Sequence, residues 1–260
     1  MSETSAIRIA RDSGVATVTI DRPAQRNALD VPALEQLATT LEDLGADAAV
    51  RCVVVTGAGD RAFCAGGDLT GLADTLTAPL PDLTERLVGW SRSALLLHEM
   101  PKPTIACVNG AAAGAGMALA LSCDLRIASE EARFLTAFAR LGLSGDFGGS
   151  YLLTRLVGPA RARELYLLGE ELDAHRALDW GLVNRVVPHP ELTRATTAVA
   201  MRLGELPTGT AAAMKANLNA AEHESLARII EREAAAMIEL AGTGYTRAAS
   251  RRVLEGGAPD

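Results

Sequence analysis

Thr104-Ile105-Ala106-Cys107-Val108-Asn109-Gly110-Ala111-Ala112-Ala113-Gly114-Ala115-Gly116-Met117-Ala118-Leu119-Ala120-Leu121 decides the fold. It opens as a short apolar strand, Thr104–Val108, and crosses a turn of glycine and alanine. It closes on a helix that starts at Gly114, despite two glycines. A strand feeding a helix through a small-residue loop is the local unit of α/β folds. Upstream, Leu83–Met100 has helical spacing and is stopped by Pro101 and Pro103. Before it, Cys52–Thr56 reads as a buried strand ending in the turn Gly57-Ala58-Gly59-Asp60. Val31–Leu44 reads as a helix, with Asp30 as N-cap and Pro32 in the first turn. Ile7–Ala10 and Val15–Ile20 form a hairpin around Asp12-Ser13-Gly14.

Downstream, Asp124–Ala128 is another short strand. Past Gly158 the chain turns helical, over Ala160–Gly169, Thr208–Ala221 and Ser225–Leu240, with Asn184–Val187 as an extended exception. Ala78-Pro79-Leu80-Pro81 reads as a surface loop. The alternation predicts an α/β fold with βαβ units, followed by a helical layer that offers an oligomer surface.

Composition narrows the function. The 260 residues carry a net charge of −7, which argues against non-specific nucleic-acid binding. Hydrophobic residues make up 48% but aromatics only 3%, so the core is aliphatic. Cys52, Cys64, Cys107 and Cys123 form no C-x-x-C pair, and the four histidines lie far apart. Buried free thiols and no metal site are expected. No run of about 18 apolar residues suits a membrane, so a soluble cytoplasmic protein is expected.

Two glycine-rich turns carry the chemistry: Phe63-Cys64-Ala65-Gly66-Gly67-Asp68-Leu69 and Asn109 to Ala118. Small residues let backbone approach a ligand, and the second loop runs into a helix N-terminus with free N–H groups. Two such donors meeting at one oxygen make an oxyanion hole, worth about 3–4 kcal/mol per donor. Close backbone packing accounts for the same pattern. Neither loop completes a dinucleotide fingerprint or a Walker loop. Gly142-Leu143-Ser144-Gly145-Asp146 lacks the second glycine of a nucleophile elbow, which counts against Ser144.

Taken in order, the motifs resemble those of the enoyl-CoA hydratases and isomerases of the crotonase superfamily. They are Arg22-Pro23-Ala24-Gln25-Arg26-Asn27-Ala28-Leu29, Ala65-Gly66-Gly67-Asp68-Leu69, Pro101 to Gly110, and Trp180-Gly181-Leu182-Val183-Asn184-Arg185-Val186-Val187. The resemblance covers nearly the whole chain. It implies a crotonase-like spiral of β-β-α units over residues 1–200, a helical oligomerisation region over 201–260, and homotrimers or dimers of trimers. It assigns the oxyanion donors to Gly67 and Ala115. It places Arg26, Ala28, Ala65, Asp68, Leu69, Thr70 and Phe138 along an acyl-CoA thioester. Coenzyme A belongs to that substrate, and no further cofactor is implied.

The chain departs from the hydratase pattern at two positions. The resemblance puts one catalytic glutamate at Ala118 and the other at Phe138. Neither side chain moves a proton, which disfavours hydration by the two-glutamate route. Asp146 lies among small and apolar neighbours that raise a carboxylate's pKa. Locally it also reads as an N-cap. Its position resembles the catalytic aspartate of dienoyl-CoA isomerases and of ring-opening isomerases of phenylacetate breakdown, which implies a proton shuttle. A dehalogenase of the superfamily uses an aspartate nearby as nucleophile, but its tryptophan partner falls at Phe138. Asp68, Asp124, Glu130, Glu131 and His98 read as structural or solvated. Leu72, Leu76, Leu83 and Leu87 are acyl-pocket or core candidates. The sequence-level reading is an enoyl-CoA isomerase. A hydratase using Asp146 and water, and a non-catalytic acyl-CoA binder, stay open beside it.

Overall fold

A computed structural model describes residues 5–68 and 79–254. Its centre is two sheets. The larger has the strand order β1 (Ile7–Asp12), β2 (Val15–Ile20), β3 (Cys52–Gly57), β5 (Thr104–Val108), β7 (Leu125–Ser129) and β10 (Arg185–Val187). β1 and β2 form the antiparallel hairpin, and every later neighbour is parallel. The smaller sheet has the order β4 (Ala62–Cys64), β6 (Ala111–Ala113), β8 (Arg133–Leu135) and β9 (Leu172–Asp173). Strands β3, β5 and β7 each hand the chain straight on to the smaller sheet, so each turn of the spiral lays one strand in each. This is the β-β-α repeat of the crotonase fold.

The corners between the sheets explain two glycines and one asparagine. A methyl group on Gly57 would lie 2.3 Å from the Ala62 carbonyl oxygen, and one on Gly110 would lie 2.5 Å from the Arg61 carbonyl. Between these corners, the Asn109 amide donates to the carbonyls of Gly57 (3.0 Å), Gly59 (2.7 Å) and Ala62 (3.2 Å). One buried side chain thus satisfies three carbonyls at the corner where the chain passes from one sheet to the other.

Helix α1 (Val31–Ala46) starts as expected: the Asp30 carboxylate accepts from Ala33 N–H at 3.0 Å, and Pro32 sits in the first turn. It buries Leu37, Leu41 and Leu44 completely, at about 1.5–3 kcal/mol per side chain. The expected Leu83–Met100 helix is two, α2 (Leu80–Trp90) and α3 (Arg92–Glu99). They break at Ser91, whose hydroxyl turns back on the Leu87 carbonyl beside the ordinary helical N–H bond to the same oxygen, a back-bond by which serine bends helices. Leu80 and Pro81 belong to α2 rather than to the expected loop, Pro81 standing in the first turn where its missing N–H costs nothing.

Helix α4 (Ala115–Ser122) is buried at every position. The helix expected from Ala160 begins at Gly149 and runs to Leu168 as α5, kinked where Gly158 (φ 80°) precedes Pro159. After α6 (Ala174–Asp179) come α7 (Leu192–Gly204), α8 (Thr208–Ala221), α9 (Leu226–Ala241) and α10 (Gly244–Leu254). Leu192 and Ala200 of α7 pack with Val54, Ile105 and Ile127 on one face of the large sheet. All four cysteines are free and buried. Burial pushes the thiols of Cys52, Cys64 and Cys123 up to about 12, which keeps them uncharged. Among the described residues no helix is long and apolar enough to cross a membrane.

Candidate active site

The first glycine loop is held from below by the Arg22–Asp30 turn. Arg26 and Asn27 both adopt left-handed φ, 53° and 57°. The Asn27 amide bridges the carbonyls of Ala58 (3.0 Å) and Ala62 (2.7 Å). Ala65 N–H donates to the Arg26 carbonyl at 3.1 Å, Leu29 N–H to the Gly66 carbonyl at 2.8 Å, and Asp68 N–H to the Leu29 carbonyl at 2.9 Å. This bridge uses the groups on either side of Gly67. Among the described residues nothing accepts from Gly67 N–H, and Gly67 itself is exposed. Arg22 stands 3.3 Å from the Asp68 carboxylate and 2.7 Å from that of Asp30, and also donates to the Ala28 carbonyl. The sequence reading quoted Arg22 in its motif without a role; it anchors the segment that carries Gly67.

The second loop meets the first. A methyl group on Gly66 would lie 2.9 Å from the Ala113 carbonyl oxygen and 3.5 Å from the amide nitrogen of Ala115. Gly114 (φ 52°) is the N-cap of α4, so Ala115 opens the helix and its N–H is one of the first-turn donors without a helical acceptor. No other described group accepts from it. Two unspent amides, Gly67 and Ala115, therefore lie on adjoining segments, with the positive end of α4 behind one of them.

Asp146 comes from the loop before α5. It is half-buried, and its Oδ1 is buried with no hydrogen-bond partner among the described residues. Desolvation raises its pKa from about 3.8 to about 6. The N-cap reading is corrected: Gly148 caps α5, and Asp146 contributes only its backbone carbonyl, which accepts from Gly149 N–H at 3.0 Å. The next residue, Phe147, takes a strained φ of 52°, which burial of its ring holds in place.

The segment that follows the aspartate packs against α4. A methyl group on Gly149 would lie 3.3 Å from Ala118 Cβ and 2.7 Å from the Tyr166 hydroxyl. Phe138 is buried 3.7 Å from the corresponding position on Gly114, and its ring stacks on that of Tyr166 with centroids 6.1 Å apart. Ala118 and Phe138, the positions to which the resemblance assigned two glutamates, therefore both lie in the packing around the Asp146 loop, Ala118 directly and Phe138 through Tyr166. Tyr166 was not legible in the sequence, because it arrives from beyond the kink of α5. Phe147 and Gly148 also wall a cavity of about 370 Å³ with Leu95, His98, Ser122 and Tyr151.

Other candidates fall elsewhere. Arg26 is exposed, while Ala28 is buried beneath the first loop. Leu69, Thr70, Leu72 and Leu76 lie outside the described residues. Leu83 is half-buried and Leu87 is 41% exposed, so Leu87 is not core. Asp124 is structural: it accepts from Thr104 N–H at 2.7 Å and pairs with Lys215 at 2.9 Å. Ser144, Glu130 and Glu131 are exposed.

Known proteins agree with this architecture. The chain is 41% identical over 218 residues to the 1,2-epoxyphenylacetyl-CoA isomerase of Escherichia coli strain K12, covering 83% of this chain and 82% of the relative. It is 36% identical over 203 residues to the short-chain-enoyl-CoA hydratase of Clostridium acetobutylicum, covering 77% and 76%. A crystal structure of an enoyl-CoA hydratase from Polaromonas sp. JS666 superposes with a TM-score of 0.89 at 32% identity, covering 98% of each chain. Residues 10–255 match the family described as Enoyl-CoA hydratase/isomerase, and the chain belongs to that family, as a crotonase-superfamily enzyme.

Proposed function

We propose that the protein is an enoyl-CoA isomerase that moves a double bond with a single aspartate. The observation that carries this reading is the buried, unpartnered Oδ1 of Asp146 on a loop whose packing includes the other two family positions, Ala118 and Phe138. The thioester carbonyl oxygen accepts from Gly67 and Ala115 N–H, which stabilises the enolate. Asp146, ionised, removes a proton α or γ to that carbonyl and returns it two carbons away. The substrate's proton count is unchanged and no water is consumed, and the proton held on Asp146 exchanges with solvent before it is returned. The name of the E. coli relative, an acyl-CoA isomerase, supports the reading.

In this proposal the 1–200 region holds the thioester along Arg26, Ala28, Ala65, Asp68, Leu69 and Thr70, with Phe138 beside the acyl group and the cavity next to Phe147 taking its far end. The 201–260 helices associate copies into a homotrimer or dimer of trimers. Leu226, Ile230, Met237 and Ile238, exposed on α9, support that association.

The test is a 3-enoyl-CoA assayed in deuterated buffer by mass spectrometry. Conversion to the 2-enoyl isomer with deuterium at the α or γ carbon is expected, reduced about 10²–10⁴-fold in Asp146→Ala. The name of the Clostridium relative favours a hydratase reading instead. Efficient formation of 3-hydroxyacyl-CoA from crotonyl-CoA would establish it and displace the isomerase. Tight acyl-CoA binding without turnover on any thioester would make the protein a carrier.

A further inference from the structure

Tyr166 brings a phenol up against the loop that carries Asp146. Its ring lies against Phe138 at an interplanar angle of 12°. Its edge and hydroxyl occupy the space left by two glycines flanking Asp146. A methyl group on Gly145 would stand 3.0 Å from Cε1 and 3.4 Å from Oη, and one on Gly149 would stand 2.7 Å from Oη. Gly145, at φ 115°, is required by its backbone alone. Gly149 is not: it has no positive φ, and it opens a helix where alanine is better tolerated. What glycine supplies at 149 is room for the hydroxyl.

That hydroxyl has no hydrogen-bond partner among the described residues. Its acidity is lowered, to a pKa of about 12, by desolvation and then by the charge of Asp146, so it keeps its proton at neutral pH and acts as a donor. The Asp146 carboxylate is close enough for its charge to act on the phenol but makes no hydrogen bond with it, and the other neighbours offer no side-chain acceptor: Ala118 and Phe138 are apolar, and Gly145 and Gly149 have no side chain. A donor held among such neighbours binds a ligand acceptor well and disfavours a ligand that lacks one.

We propose that Tyr166 is a specificity-determining residue that donates a hydrogen bond to an oxygen on the acyl group, so that the enzyme prefers thioesters with an oxo, hydroxyl or epoxide substituent near the reacting carbons. This rests on the functional reading above only in taking the space beside Asp146 and Tyr166 as the acyl site. It does not depend on whether Asp146 shuttles a proton.

The experiment measures equilibrium binding of matched acyl-CoA pairs by calorimetry: 3-oxobutanoyl-, 3-hydroxybutanoyl- and 2,3-epoxybutanoyl-CoA, each against butanoyl-CoA. In the wild type at least one oxygenated member is expected to bind about tenfold more tightly than butanoyl-CoA. Tyr166→Phe is expected to remove that preference while its Kd for butanoyl-CoA stays within about twofold. Gly149→Ala, which keeps the phenol but displaces it, is expected to do the same and serves if Tyr166→Phe folds poorly. An absent preference in the wild type, or one unchanged in both variants, overturns the proposal. Failure of every acyl-CoA to bind overturns the acyl-site assignment itself. Loss of isomerase activity in the deuterium assay with the binding preference intact would remove only the proton-shuttle reading.

Discussion

A methyl group on Gly116 would lie 2.1 Å from the carbonyl oxygen of Cys64, so helix α4 rests directly on the backbone that leads into the first glycine loop. This contact ties the helix that begins at Ala115 to the strand that leads into Gly67. Gly116→Ala must push α4 away from β4, because a main-chain oxygen has no rotamer to yield. The expected result is a stability loss of about 1–3 kcal/mol by chemical denaturation. A fall in kcat/KM of about 10²-fold should accompany it, since displacement near 1 Å defeats a positioned catalytic group.

Asp146 ties activity and stability to pH in opposite directions. Its folded-state pKa of about 6 lies above the ordinary 3.8, so between those values the native state binds more protons than the unfolded chain. Stability should therefore fall as pH rises from about 4 to about 6 and then level off. Asp146→Asn should lack that fall, visible as a flatter thermal-unfolding midpoint against pH. A proton-abstracting carboxylate must be ionised, so kcat/KM of the wild type should rise with pH through an apparent value near 6. A pH-independent rate across that window would count against Asp146 as the base.

Arg22 holds Asp68, Asp30 and the Ala28 carbonyl with one guanidinium. Lysine keeps the charge but not the fork. Arg22→Lys is expected to destabilise the fold by about 1–2 kcal/mol in urea titration. It should also diminish the thermal shift caused by a bound acyl-CoA, because the segment bearing Gly67 loses its anchor.

Lys215 joins α8 to the spiral through Asp124 at 2.9 Å and the Leu97 carbonyl at 2.8 Å. Lys215→Met would strand a partly buried carboxylate that Thr104 only half satisfies. A loss of about 3 kcal/mol is expected, with part of it recovered in the Lys215→Met/Asp124→Asn double variant. Denaturation midpoints of the three proteins check both statements.

Local chemistry was readable along the chain. Asp30 capped its helix where predicted, the hairpin formed around Ser13-Gly14, and β5 spans the quoted Thr104–Val108. Short-range periodicity and capping depend on neighbours in sequence, so the sequence by itself determined them, along with the two glycine loops and the absence of a carboxylate at 118 and 138. The smaller sheet was hidden because β4, β6 and β8 are three residues each, too short to show a period, and are stabilised only by partners tens of residues away. Residue 146 read as a cap from its neighbours and as a proton shuttle from the resemblance; the structure removes the cap, since Gly148 takes that role and Asp146 Oδ1 is unpartnered among the described residues. Tyr166 reaches the Asp146 loop only because α5 kinks at Gly158 and positions 145 and 149 carry no Cβ. Packing of distant backbone decides such contacts, and only the tertiary structure supplies it.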